Sequence, residues 1–178
     1  TRNFGLPRVL VNFLVFFFFI GVVEEYCKYM AVRLGVERKL VFDEPTDAMV
    51  YLIVSGLGFA ALENTLALFH FTDWSEMGLM GQAIEITALR FLSSTLLHVL
   101  ASAMVGFYLA RRHFFKEKLA IAKGILIAGF LHGAYNVLTL SSNSFQKIIP
   151  TLAVIVLLGV MAAAVNMLFY KLKKDFFR

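Results

Sequence analysis

An all-α, polytopic transmembrane helical bundle of about five membrane helices is the fold class the sequence predicts, on three observations. Of its 178 residues, 60% are hydrophobic and only 16% charged, against about 45–50% and about 25% in an ordinary soluble domain. The apolar residues gather in five stretches, each long enough at about 1.5 Å per residue to cross a ~30 Å hydrocarbon core. None of them alternates like a barrel strand, and a backbone in lipid must satisfy its own hydrogen bonds, so all five are expected to be helices. The length leaves no room for a separate soluble domain, and residues 1–178 are read as a single membrane-embedded domain.

The first stretch covers about 9–34 and reads FFFFIGVVEEYCKYMAVRLG around Glu24, Glu25 and Lys28. Its helix is expected to run on past a snorkelling Arg33 towards Arg38. The second, about 47–71, carries Glu63 and Asn64 between apolar flanks; the third, about 83–110, carries Arg90, Ser94 and His98. The fourth, about 119–140, carries His132 and Asn136, while the fifth, about 148–170, has only Asn166 and reads as a packing helix. Charged or polar clusters such as Glu37-Arg38-Lys39, Asp73-Trp74-Ser75-Glu76, Arg111-Arg112-His113 and Ser141-Ser142-Asn143-Ser144 separate them.

The net charge of +5 would suggest nucleic acid in a soluble chain, but the 17 Lys and Arg sit mainly in blocks between the apolar runs. They are topology determinants, and no nucleic-acid partner is expected. Arg33, Arg38 and Lys39, then Arg111, Arg112, Lys116 and Lys118, then Lys171, Lys173, Lys174 and Arg178 mark alternate segments as cytoplasmic, the C-terminus included. The connection holding Asp73 and Glu76 belongs outside. The lone Cys27 excludes a disulfide-stapled module. Further membrane segments follow the first apolar run, so it is expected to stay in the membrane and not to act as a removable signal peptide.

An ionisable group in mid-bilayer costs at least about 2.5–3.5 kcal/mol and is a functional hypothesis by default. Glu24 and Lys28 are four residues apart, as are His132 and Asn136, so each pair is expected to share a helix face. His98, His132 and Glu63 all fall roughly 20–24 Å from the basic boundary. There is no HExxH motif, no intramembrane Asp pair and no Gly-x-Ser-x-Gly elbow. The remaining Glu, His and Asn can activate water and stabilise an oxyanion, as peptide hydrolysis requires. The same side chains, with Glu63, His98 and His132 as ligands, could instead hold a zinc ion. Buried Glu, Lys and His are also the parts of a proton-coupled transporter, although no inverted repeat is present. Glu85 and Arg90 read as a boundary ion pair, and His70 and Trp74 as an interfacial belt. Gly129 and Gly133 read as residues that permit close helix approach.

EEYCK at 24–28, GFAALEN at 58–64, His98, and HGAYN at 132–136 together resemble the motifs of the PrsW-type glutamic intramembrane proteases, distant relatives of the CAAX prenyl protease and Abi group. The resemblance spans the first four helices. It implies an intramembrane endopeptidase of a bacterial or archaeal membrane, acting on a single-span protein such as an anti-sigma factor in site-1 cleavage. It further implies that Glu24 with His98 activates water, that His132 and Asn136 stabilise the oxyanion, and that Glu25 tunes the set. Lys28 and the Glu63-Asn64 pair mark the PrsW side of the wider group, since the CAAX proteases carry an Arg one residue beyond the position of Lys28. No cofactor is required on this reading, with zinc as the alternative. Cleavage is expected at or just outside the outer membrane surface.

Overall fold

The computed structural model describes residues 8–71, 80–140 and 148–176, and every regular element among them is helical. The first rod, α1, consists of three consecutive pieces: Arg8–Val15, a π-helical stretch Phe16–Val22, and Val23–Gly35. It is followed by α2 (Pro45–Phe71), α3 (Met80–His113), α4 (Ala120–Leu140) and α5 (Ile148–Phe176). All five are long and apolar enough to cross a membrane.

Local chemistry explains where the helices differ from the expected limits. Pro45 opens α2, where its missing N–H costs nothing and its fixed φ suits the first turn. The Asp47 carboxylate accepts the Asp43 and Glu44 backbone N–H groups at 3.1 and 2.8 Å, the return half of a capping box. The helix therefore starts two residues before the apolar run does. At its other end α1 stops at Gly35 and does not continue towards Arg38: Val36 leaves helical geometry, and its N–H and that of Glu37 both turn back to the Val32 carbonyl. α5 runs to Phe176, beyond the expected limit at about 170, because Leu172 is buried while Lys171, Lys173 and Lys174 stay in the open.

α3 is the central helix. It packs against all four others, and 67% of its membrane window is buried inside the protein against 11–39% for the rest. Small residues make this possible. A Cβ on Gly106 would lie 2.6 Å from the Met49 Cα, so α2 and α3 touch backbone to backbone.

At one end of the bundle the basic segments meet. Arg111 donates to Glu117 and, at 2.7 Å, to Asp175 near the C-terminus. Arg112 donates to the Tyr29 hydroxyl and to Glu37, which also lies 3.2 Å from the His113 ring. The first connection, the third connection and the end of α5 thus gather on one face of the bundle, as the positive blocks require. The side chains of His70, Glu85 and Arg90, and the segment containing Trp74, lie outside the described residues.

Candidate active site

Two close helix crossings bring the intramembrane polar residues together. Where α1 meets α4, a Cβ on Gly21 would stand 2.5 Å from the Gly129 carbonyl oxygen, and one on Gly133 would stand 3.1 Å from Phe17. Glu24 follows Gly21 by three residues and His132 follows Gly129 by three; the helices run antiparallel, so the two residues sit about one turn to either side of the contact point and their side chains, tilted towards their helix N-termini, reach back towards each other. The π stretch just before Glu24 has i→i+5 bonds and holds more residues per turn, which sets the faces that Glu24 and Glu25 present. Where α2 meets α3, a Cβ on Gly56 would stand 2.6 Å from the Ser102 Oγ and 2.8 Å from the His98 carbonyl oxygen. Glu63 lies two turns along α2 from Gly56, and that crossing carries it to His98.

Four of the expected residues form a continuous chain across three helices. Lys28 Nζ donates to Glu25 Oε1 at 2.5 Å and to His98 Nδ1 at 2.8 Å. An ammonium has no acceptor, so Nδ1 must accept; the imidazole proton is then on Nε2, which donates to Glu63 Oε2 at 2.6 Å. The Lys28 charge also lies 4.7 Å above the Phe59 ring, a cation–π contact. Glu25, Lys28 and His98 are essentially fully buried, whereas the Glu63 side chain is 37% exposed. The chain therefore leads from the protein interior to a more open carboxylate.

His132 stands beside this chain, with its ring centroid 5.1 Å from that of His98. It lies between two carboxylates: Nε2 is 3.6 Å from Glu24 Oε2, and Nδ1 is 3.5 Å from Glu25 Oε1. Both contacts are long. Glu24 Oε2, Glu25 Oε2 and His132 Nδ1 are buried atoms with no hydrogen-bond partner among the described residues. A cavity of about 240 Å³ opens at His132, with Glu63, Ser94, Leu97, Tyr135 and Asn136 on its walls.

The partners differ from those that linear spacing suggests. Lys28 is joined to Glu25, three residues away, not to Glu24 as the four-residue spacing suggests; Glu24, which the resemblance pairs with His98, lies 3.6 Å from His132 across the helix gap and has a His98 nitrogen within 4.8 Å. Asn136 shares the cavity wall with His132 one turn on. Asn64, about 100° around α2 from Glu63, is turned aside and donates to Thr95 Oγ1 at 3.2 Å, tying α2 to α3. Sequence reasoning passed over the Ser93 and Tyr135 hydroxyls, which pair at 2.8 Å on the cavity wall. The visible signal was a Tyr within HGAYN and a second serine next to Ser94, both at membrane depth.

The group able to hold a metal also differs in membership. Glu24, His98 and His132 each offer a ligand atom, all within 4.8 Å of one another, and Glu24 takes the place expected of Glu63. Two imidazoles and a carboxylate are the protein ligands of one class of catalytic zinc site, and the partnerless Glu24 Oε2 and His132 Nδ1 suit a cation. His98 can join only by releasing Lys28 or Glu63, which engage both its nitrogens.

A family model described as PrsW family intramembrane metalloprotease matches residues 5–165. The chain is 31% identical over 143 residues to Protease PrsW of Bacillus subtilis (strain 168), covering 78% of this chain and 61% of that protein. It is 32% identical over 125 residues to Protease PrsW of Geobacillus kaustophilus, covering 69% of this chain and 51% of that one. Protease PrsW of Clostridioides difficile (strain 630) is 26% identical over 153 residues, 84% of this chain and 60% of that protein. The chain thus spans about half to three-fifths of the length of the curated relatives it matches. No solved structure matches it.

Proposed function

The chain belongs to the PrsW family of intramembrane metalloproteases and is a multi-pass integral membrane protein; from that premise we propose that it hydrolyses a peptide bond of a membrane-associated protein at the His132 cavity. The observation that carries this reading is the pairing of buried His132 with partly buried Glu24, 3.6 Å apart, whose buried Nδ1 and Oε2 atoms have no hydrogen-bond partner among the described residues. Unpaired carboxylate oxygens in a protein interior cost several kcal/mol unless a ligand or water engages them. A separation of 3.6 Å is one that a single water can bridge.

Glu24 acts as the general base. It accepts a proton from water; the water oxygen bonds to the scissile carbonyl carbon, and the carbonyl oxygen becomes an oxyanion. Asn136 and His132, one turn apart on α4 and on the same cavity wall, donate hydrogen bonds to that oxyanion. As the C–N bond breaks, the proton held by Glu24 passes to the departing amine, leaving a carboxylic acid and an amine as products. Glu25, Lys28 and His98 are positioning residues: the Lys28 ammonium balances the Glu25 carboxylate, holds His98 in one tautomer and so orients Glu63. In the alternative with a metal, Glu24, His98 and His132 would hold a divalent ion such as zinc, His98 then giving up Lys28 or Glu63 to serve as a ligand, and the ion would supply polarisation of water and of the substrate carbonyl.

The substrate proposed is a single-span membrane protein, with an anti-sigma factor as the class the family resemblance implies. The gathered basic segments support an orientation with that end and the C-terminus in the cytoplasm. The direct test is reconstitution in liposomes with a single-span substrate, comparing the parent with Glu24→Ala, His98→Ala and His132→Ala. Cleavage should fall to background in each; cleavage that persists in all three overturns the assignment. Metal content of the purified protein, with activity before and after chelation, tests the zinc assignment: stoichiometric zinc and loss on chelation support it, and full activity without metal removes it.

A further inference from the structure

A second and larger cavity, about 480 Å³, lies between α3, α4 and α5. Its walls are mostly apolar: Leu92, Leu96, Leu138, Val154, Ile155 and Leu158. This volume falls within the roughly 300–1,000 Å³ range of pockets that bind organic groups. Two residues, Ser93 and Thr139, line both this cavity and the polar one at His132. The two spaces are therefore neighbours with a common wall, polar on the catalytic side and apolar beyond it.

We propose that this apolar cavity is the subsite for a bulky aliphatic or aromatic side chain of the substrate, two or three residues from the scissile bond; the proposal deepens the protease reading above and rests on it. Distances along the helices support the register. Ser93 precedes His98 by five residues, and Thr139 follows His132 by seven, so the shared wall lies roughly 7–10 Å along the helix axes from the two imidazoles. An extended peptide covers that length in two or three residues at about 3.3 Å each.

The direction also fits. Ser93 and Thr139 are farther than His98 and His132 from the end where Arg111, Asp175 and Glu37 meet, so the cavity occupies the half of the bundle away from the basic face. A peptide entering from that half meets the apolar cavity before it reaches Asn136 and His132. A lipid acyl chain could fill apolar space anywhere on the perimeter. This space opens onto the perimeter, Leu92 and Ile155 being exposed, but it also shares its wall with the cavity that holds the proposed chemistry, which favours a substrate side chain as its occupant.

The test uses the intact protein in liposomes and single-span substrates differing only at the two positions flanking the cleavage site by two and three residues, with Phe, Leu, Ala or Asp there. The parent should favour Phe or Leu over Ala by about tenfold or more in kcat/KM, the scale on which apolar pockets discriminate. Val154→Trp, which narrows the cavity, should erase that preference while Ala substrates are still cut. Leu96→Ala, at an exposed position that tolerates truncation, should shift preference towards the largest side chains. A ratio unchanged within about twofold in both variants overturns the subsite while leaving the protease reading intact.

A second readout does not depend on turnover. A substrate carrying a diazirine leucine at either position is irradiated with the Glu24→Gln protein. Crosslinks to Leu96, Val154 or Leu158 support the subsite. Crosslinks confined to other surfaces, or labelling of these residues by a diazirine lipid that excess peptide does not displace, overturn it. If neither parent nor variants cleave any substrate but the peptide crosslinks here, the catalytic reading fails and the binding site stands.

Discussion

The protein contains two clusters of acidic, basic and imidazole groups, and they are built on opposite plans. At the basic end of the bundle, Arg111 spans Glu117 and Asp175, and Arg112 spans Tyr29 and Glu37, so each guanidinium has two partners. Within the apolar span of the helices, Glu24, Glu25 and His132 leave fully buried atoms with no hydrogen-bond partner among the described residues, whereas Glu37, though itself buried, is engaged by Arg112 and His113. Desolvation makes an unsatisfied polar atom more costly in the second place than in the first. A cluster that leaves such atoms unsatisfied has room for a further group to engage them, which is the pattern the proposed catalytic role requires, whereas the self-satisfied one holds chain segments together. The contrast separates a site from a clasp without reference to sequence motifs.

Four measurements break or sharpen that contrast. The largest effect is expected at Glu24: Glu24→Gln keeps the volume but removes the base, and substrate cleavage in liposomes should drop about 10²–10⁴-fold while thermal stability holds or rises. A Glu24→Gln protein that cleaves normally would make the central cluster a clasp as well. Next is the crossing of α1 and α4. Gly21→Leu drives a side chain into the Gly129 carbonyl, and because a displacement of about 1 Å costs on the order of a hundredfold in rate, cleavage should fall steeply. Retained activity would mean that the close crossing does not set the Glu24 to His132 distance.

The third measurement is on Lys28. Lys28→Met leaves Glu25 buried without its cation, and unfolding in detergent should show a loss of roughly 3–5 kcal/mol; pairing it with Glu25→Gln should recover part of that stability, and no recovery would separate the two residues energetically. The smallest effect is at the basic end. Arg111→Ala removes ion pairs with half-exposed partners, so stability should change by less than about 1 kcal/mol and cleavage by less than twofold. A loss there as large as at Lys28 would erase the distinction between the two clusters.

Much of the candidate cluster was legible in the chain because membrane helices make polar residues conspicuous. Glu24, Glu25, Lys28, Glu63, His98 and His132 each stood out against an apolar background, and all six meet within one connected cluster. Their partners were not legible. Four-residue spacing paired Lys28 with Glu24, yet its ammonium reaches Glu25, and the extra residues held in the π turns of Phe16–Val22 set which carboxylate faces inward. Asn64 was indistinguishable from Glu63 by position along the chain, but the rotation of α2 sends one to Thr95 and the other to His98.

By itself the sequence determined that the chain crosses a membrane about five times, which ends of its helices share a side, and which side chains are too costly to bury without a purpose, because all three follow from composition and the price of charge in lipid. Only the tertiary structure decided who meets whom. Glycine contacts at Gly21, Gly56, Gly106 and Gly129 fix how closely and at what rotation the helices cross. Rotation about a helix axis leaves the apolar pattern along the chain unchanged, yet it moves a carboxylate from one neighbour to another. For the same reason the apolar cavity beside Ser93 and Thr139 exists only in three dimensions, among leucines and valines that look like ordinary lipid-facing residues when read one after another.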